Sequence, residues 1–455
     1  MSTFSKTDSN NIKKFTYYNI VNFPEERKDK APTNTIPKSL LQEFLKVLGR
    51  EILKEDQPKL EDIEQELKNL KNEKENNNNN KSQSNETKST GEASSIIAEL
   101  QQLGYIKDSR KWLSKKGFFA VGTRLLEDVV RALNKGTIGL HETQFSGNGS
   151  LNLDSTKKYE LGDDLRMLNV PLSLLNAIER RSGSKLPLQL PIEFQADDLE
   201  IYETKRDVSI AIVYCIDLSS TMRYSTMFDD MTRIEAAKKA LWSLFLLNQK
   251  YFPTDTIYVV GFGALASKVS PYDIPYLKTF ESSVGFMHYT NYQAAFRLAK
   301  KILQNETTDN KKIVLITDGH PSACFIDTEQ ERSKVISERP YSQFYIPDGE
   351  SLNVVKEKQD LSLDTKSGKL VYLCYRYRQV DQYIGEKTIL EAKKCHKSGI
   401  DIDTIMISEE VSLLSYVNEL EKYVKGRSYY INPAVIDKIL ITDYLNDKKS
   451  ILRSK

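Results

Sequence analysis

Four cysteines and four histidines in a chain of 455 residues leave little material for soft-metal or thiol chemistry. Cys215, Cys324, Cys374 and Cys395 contain no Cys-x-x-Cys pair, so neither a structural zinc site nor a thiol-exchange site is spelled out. Cys215 lies inside an apolar run and reads as a small core residue. Cys395-His396 with Cys374 offers no evident fourth ligand for zinc. Charge of one sign is also lacking. The 65 basic residues stand against 63 acidic ones, net +2, which gives no global field to draw in nucleic acid or a membrane. No apolar run reaches the roughly 20 residues of a membrane helix. The opening Met1-Ser2-Thr3-Phe4-Ser5-Lys6-Thr7-Asp8 lacks the apolar centre of a signal peptide, so a cytoplasmic protein is expected. A Gly-x-x-x-x-Gly-Lys-Ser/Thr phosphate loop is missing too, and nucleotide-driven work would have to come from elsewhere.

What is present divides along the chain. Residues 1–35 are polar and aperiodic and read as a disordered tail. Residues 36–73 form a helical segment, with Leu40, Leu41, Phe44, Leu45 and Leu48 on one face and Leu60, Ile63, Leu67 and Leu70 recurring at helical, coiled-coil-like spacing. Residues 74–92, with Asn76 to Asn80 and a Ser/Thr/Asn/Lys stretch, form a low-complexity linker by composition. Residues 93–135 give two helices around a small turn, a winged-helix-like possibility. The Lys115-Lys116 pair is a small basic patch beside Glu127 and Asp128, so a packing element is favoured over a nucleic-acid reader. Residues 136–200 read as an extended shell with a turn at Gly147-Asn148-Gly149; its His141 is assigned no role.

From 201 to 447 strands and helices alternate: strand Val208–Ile216, helix Arg233–Asn248, strand Thr256–Phe262, a short strand Ala266–Val269, helix Tyr292–Leu303 and strand Lys312–Thr317. After an insertion at about 327–382 come helix Thr388–Cys395, strand Ile400–Ile407, helix Leu413–Tyr423, strand Ser428–Ile431 and a last helix ending near Leu445. Apolar, β-branched runs with helices between them predict an α/β fold, doubly wound around a mostly parallel sheet. Ile234, Ala237, Leu241, Leu244 and Phe245 form the stripe that packs the first helix on that sheet, with Trp242 near its margin. The insertion carries Tyr341, Phe344, Tyr345 and the run Tyr372-Leu373-Cys374-Tyr375-Arg376-Tyr377-Arg378, a composition favoured at protein interfaces and, second, on single-stranded nucleic acid.

The most informative residues stand at strand ends: Asp217, Ser219 and Thr221 after the first strand, Thr290 before a helix, and Asp318 with Gly319 after the fourth. In an open parallel sheet the loops at the strands' carboxyl ends share one crevice. Two carboxylates and three hydroxyls there make a hard oxygen shell that suits Mg²⁺, with Mn²⁺ or Ca²⁺ as further candidates. A plainer reading competes, because Asp and Ser after a strand often cap the next helix or close a turn.

This constellation resembles the metal-ion-dependent adhesion site of von Willebrand factor A (VWA) domains, Asp-x-Ser-x-Ser with a later Thr and Asp. The chain carries Asp217, Ser219, Thr221, Thr290 and Asp318, the departure being threonine for the second serine. Tyr159–Asp164, Leu174–Arg180 and Asp198–Thr204 further resemble an intracellular prokaryotic group related to CoxE and to the integrase-like subunit of magnesium chelatase. What the resemblance implies is a Rossmann-like domain that hydrolyses nothing and captures an Asp or Glu of a partner protein through bound Mg²⁺. It also implies a MoxR-type AAA+ ATPase as partner, in metalloenzyme maturation or complex remodelling. An alternative resemblance, to phosphohydrolases with Asp-x-Asp-x-Thr and a nucleophilic Asp217, fails at the second acid, where Ser219 cannot supply the proton transfer. His288 and His320, beside Thr290 and Asp318, read as loop residues.

Overall fold

A computed structural model describes residues 36–56, 59–79, 95–132, 146–160, 165–183, 193–205, 209–225, 231–282, 285–340, 342–374, 381–407, 427–430 and 436–453. Helices come first: α1 (Lys38–Leu53), α2 (Leu60–Asn79), α3 (Ile96–Gln102) and α4 (Lys115–Ala132). The regularly spaced apolar residues of α2 turn inward, with Ile63 and Leu67 buried in one cluster with Phe44 and Leu48 of α1 and Leu100 of α3. Asn76 to Asn79, expected to begin the linker, continue α2. Propagating an established helix through a few neutral residues is far less demanding than starting one.

The next segment pairs β1 (Ser146–Lys158) antiparallel with β2 (Glu200–Lys205), with α5 (Val170–Gly183) between them. Gly147-Asn148-Gly149, expected as a turn, lies within β1, where a register shift between Ser146 and Leu151 accommodates the glycines.

The main domain follows with β3 (Ile210–Asp217), α6 (Arg233–Tyr251), β4 (Thr256–Phe262), β5 (Ala266–Val269), α7 (Tyr292–Gln304) and β6 (Asn310–Thr317). Then come β7 (Ala323–Ile326), α8 (Glu329–Glu338), β8 (Gln343–Tyr345), α9 (Gly349–Gln359) and β9 (Leu370–Leu373). The described chain closes with α10 (Gln382–Lys397), β10 (Ile400–Met406), β11 (Ser428–Tyr430) and α11 (Ile436–Arg453). The central sheet runs β11-β10-β6-β3-β4-β5. Its strands are parallel except β5, which is antiparallel to β4. Every residue of β3 is buried, as expected of a parallel strand covered on both faces. Helix α6 lies between the sheet and α4 and α11, and α7 packs against the sheet and α10. The expected helix at Leu413–Tyr423 and the run Tyr375–Arg378 lie outside the described residues.

Two differences from the sequence reading matter. Trp242 is fully buried rather than marginal, because α4 lies over α6 and stacks Phe118 on the indole at 4.9 Å between ring centroids. Gly122 makes that approach possible, since a Cβ there would stand 2.5 Å from Trp242 Nε1 and 2.3 Å from Leu246 Cδ1. The insertion is a sheet of its own, β7-β9-β8, all antiparallel. It starts at Ala323, four residues earlier than expected. Its Tyr345 stacks on Phe286 with centroids 4.2 Å apart, which sets the insertion against the loop that precedes Thr290.

Candidate functional site

The chain leaves β3 for β4 on one side of the sheet and later returns on the other side of β3 as β6. The carboxyl ends of β3 and β6 are therefore the switch point at which open α/β sheets form their crevice. The register sets Ile216 opposite Ile316, so Asp217 meets Thr317 across the two strands and Asp318 follows one residue further on. Leu218 is fixed at both backbone atoms, its N–H donating to the Phe262 carbonyl and its carbonyl accepting from Phe280 N–H, each at 2.7 Å. The following Ser220–Arg223 turn then carries Thr221 over the strand ends.

A continuous set of hydrogen bonds ties four of the five expected residues together. Asp217 Oδ1 accepts from Ser219 N–H at 2.8 Å, and the Ser219 and Thr221 hydroxyls lie 3.1 Å apart. Thr221 Oγ1 donates to Asp318 Oδ1 at 2.9 Å. Asp217, Ser219 and Asp318 are buried while Thr221 is exposed, so Thr221 marks the mouth. The fifth residue, Thr290, is buried and held by its backbone. Its N–H donates to Ser322 Oγ at 3.0 Å, and its carbonyl accepts from Ser322 and Ala323 N–H at 2.9 and 3.1 Å. The Thr290 segment is thereby stitched to the chain leaving Asp318, although no hydrogen bond links the Thr290 hydroxyl to the other four among the described residues. Beneath it Asn291 caps α7, accepting from Ala294 N–H at 3.2 Å and donating to the Ala264 carbonyl at 2.9 Å. Gly263 is required here, since a Cβ would stand 2.2 Å from the Met287 carbonyl oxygen.

The capping alternative can be judged atom by atom. Ser219 occupies the cap position of the Ser220–Arg223 turn, yet its side chain makes no capping bond; its hydroxyl faces Thr221 instead. Asp217 does accept its local backbone N–H, but its second oxygen accepts from the buried Thr317 hydroxyl at 2.6 Å, a bond that holds the carboxylate across two strands.

Sequence reasoning missed two partners. Arg233, the first residue of α6, donates to Asp318 Oδ2 at 2.6 Å. Helix α6 is itself positioned by a capping box, with Glu235 N–H donating to Thr232 Oγ1 at 3.3 Å and Thr232 N–H to Glu235 Oε2 at 3.1 Å. Tyr292 is the other, donating to the Thr317 hydroxyl at 3.3 Å and to the Gly319 carbonyl. Burial pushes the pKa of Asp217 upward, and the neighbouring Asp318 charge adds to it. Burial also raises Asp318, against the opposing pull of Arg233. Of the two buried carboxylates, Asp318 is paired with a guanidinium and Asp217 is held by neutral donors. Their surplus negative charge and hard oxygen donors fit a small divalent cation. No group of three or more His, Cys, Asp or Glu that could hold a metal occurs among the described residues, so any ion here would rely on the hydroxyls.

The helical region at the front of the chain reaches this site. Glu55, just beyond α1, accepts from Thr279 N–H and Oγ1 at 2.9 and 2.6 Å and meets Arg223, at the end of the Thr221 turn, at 3.5 Å. In α4, Lys115 and Lys116 lie over the rings of Tyr272 and Tyr105. His288 Nδ1 lies 2.9 Å from the Gly285 carbonyl oxygen.

Residues 210–344, which hold the central strands and the strand-end cluster, match the family model described as "Rv0959-like protein, vWA domain". Residues 152–204, the β1–β2 segment, match "Rv0959-like protein, third domain". Among curated proteins, the chain is similar to the uncharacterised protein Rv0959 of Mycobacterium tuberculosis and to Mb0984 of Mycobacterium bovis. Each is 24% identical over 234 residues, 51% of this chain and 32% of the relative. The matched stretch thus spans about a third of those relatives' length. Among solved structures, the PilB minor pilin of Streptococcus sanguinis is similar at 16% identity over 57% of this chain and 66% of that one, TM-score 0.38. The vWF domain of the pilus tip protein Mfa5 of Porphyromonas gingivalis is similar at 14% over 53% and 96%, TM-score 0.36. No helix among the described residues is long and apolar enough to cross a membrane.

Proposed function

We propose that this protein is a metal-dependent adaptor that binds a partner protein. Asp217, Ser219, Thr221, Thr290 and Asp318 would hold Mg²⁺, with Mn²⁺ or Ca²⁺ as alternatives. The reading rests on the hydrogen-bonded run Asp217–Ser219–Thr221–Asp318 at the switch point. When bound, the ion supplies a positive charge that a partner's Asp or Glu can complete. The chain's own residues do the rest. Thr317 and Ser219 N–H fix the rotamer of Asp217, Arg233 holds Asp318, and the neutral hydroxyls add oxygen donors without cancelling the cation's charge. The exposed Thr221 leaves the mouth open to a partner.

The partner class we propose is a MoxR-type AAA+ ATPase or its client in the cytoplasm, served in metalloenzyme maturation or complex remodelling, on the strength of the resemblance to CoxE-like proteins. Phosphohydrolysis by Asp217 is disfavoured. Ser219 stands where that chemistry needs its second acid, and a serine cannot supply the proton transfer. Affinity capture from native lysate with wild-type and Asp318→Ala protein, each with Mg²⁺ or chelator, tests the reading. An ATPase or metalloenzyme recovered with wild-type protein and Mg²⁺, and in no other condition, supports it. A partner set indifferent to both metal and mutation overturns it.

A further inference from the structure

A second cleft, of about 340 Å³, opens where the loop before α4, the segment after Tyr276 and the end of α9 meet. A chain balanced to +2 overall concentrates Arg110, Lys111, Lys278, Lys356 and Lys358 on its walls, against Asp360. Lys111 is neutralised, bridging Asp273 at 2.8 Å and Asp360. Arg110 spends its donors on neutral groups, the Glu357 and Lys358 carbonyls at the end of α9. That contact also quenches the negative end of the helix, which would otherwise repel an anion. Lys278, Lys356 and Lys358 form no ion pair among the described residues.

Lysines in the last turn of a helix are commonly no more than solvated complements to its dipole. Two observations go beyond that. Lys278 comes from a different element and faces the same cleft. Gln359, also on the wall, donates through Nε2 to the Thr279 carbonyl at 3.1 Å while its Oε1 is buried with no hydrogen-bond partner. Leaving such an acceptor unmet carries a desolvation penalty that an incoming donor relieves. The cleft therefore asks for negative charge and for an O–H or N–H in one molecule, and its volume falls within the range of small-ligand sites.

We propose that this cleft binds a small phosphorylated molecule bearing hydroxyl groups, with Lys278, Lys356 and Lys358 on the phosphate and Gln359 Oε1 accepting from a hydroxyl. None of the five strand-end residues lines it, and binding here does not depend on metal there.

Isothermal titration of the full chain in chelator, at low salt, uses ribose 5-phosphate and inorganic pyrophosphate as probes. Saturable binding of one ribose 5-phosphate per chain is expected. The triple variant Lys278→Ala, Lys356→Ala, Lys358→Ala, checked for an unchanged melting temperature, should bind it at least about tenfold more weakly, since charge-assisted hydrogen bonds are lost. Gln359→Leu should weaken ribose 5-phosphate more than pyrophosphate, which brings charge without sugar hydroxyls. Asp318→Ala should change neither. Three outcomes overturn the assignment: no saturable binding of ribose 5-phosphate, equal affinity in the triple variant, or a Gln359→Leu variant that treats both probes alike. Tighter, lysine-dependent binding of a single-stranded RNA oligonucleotide would also overturn it, giving the cleft to nucleic acid.

Discussion

Lys238 is buried on α6 without solvent contact, its ammonium donating to the Leu277 carbonyl at 3.2 Å and reaching the Lys54 carbonyl at 3.5 Å. Burial outweighs the attraction of the Glu55 and Glu235 carboxylates and lowers the pKa from 10.5 to about 8, with Lys278 adding a smaller repulsion. In the unfolded chain this lysine keeps its ordinary value. Between about pH 8 and 10.5 the unfolded state therefore holds more protons than the folded one, and stability must rise with pH through that window. From 10.5 to about 8 is a difference of 2.5, and at about 1.36 kcal/mol for each pH unit this is roughly 3 kcal/mol. Lys238→Met removes the titration. Every other ionisable group is common to both proteins, so the wild-type-minus-variant difference isolates the lysine. Urea unfolding of both proteins, followed by the fluorescence of the buried Trp112 and Trp242, should show wild type gaining about 3 kcal/mol on the variant from about pH 7 to about pH 11. A difference that stays flat to within about 1 kcal/mol would refute the claim that burial dominates this site.

Arg233→Met removes the 2.6 Å partner of Asp318 and leaves a buried carboxylate unpaired. In chelator the variant should lose about 3–5 kcal/mol of unfolding free energy, and Mg²⁺ should restore part of it; an identical deficit in both buffers would contradict a cation-holding role. Gly122→Ala forces a methyl to 2.3 Å from Leu246 Cδ1 and should destabilise by about 1–3 kcal/mol, read as a lower melting temperature; a variant as stable as wild type would mean that α4 and α6 separate freely. Ser219→Asp adds a third carboxylate and should keep metal affinity while weakening capture of an acidic partner. Unchanged partner affinity would sink the argument that uncancelled positive charge does the capturing.

The strands β3 and β6 were legible because fully buried parallel strands read as unbroken apolar runs rich in β-branched residues, Ile210 to Ile216 and Ile313 to Ile316. The residues at their ends could then be placed by topology alone. Arg233 was not legible as a site residue. It lies 85 positions from Asp318, in a sequence where 65 residues are basic, and only the packing of α6 on the sheet brings the two together. Trp242 misled for a related reason: the stripe on α6 shows which face meets the sheet, but not that α4 covers the opposite face. The β7–β9 pairing joins Ala323 to Leu373, a long-range contact without a local turn to announce it. Gly147-Asn148-Gly149 did carry a turn signal, and the pairing of β1 with β2 overrode it.

The measurement closest to the central claim is calorimetric titration of Mg²⁺, with Mn²⁺ paramagnetic resonance as a second readout, into the wild-type, Asp217→Asn and Asp318→Ala proteins. One ion per wild-type chain is predicted, with affinity reduced at least about tenfold in each variant as a buried charged ligand is removed. A wild-type chain that binds no divalent ion, or variants that bind it equally well, would contradict the account.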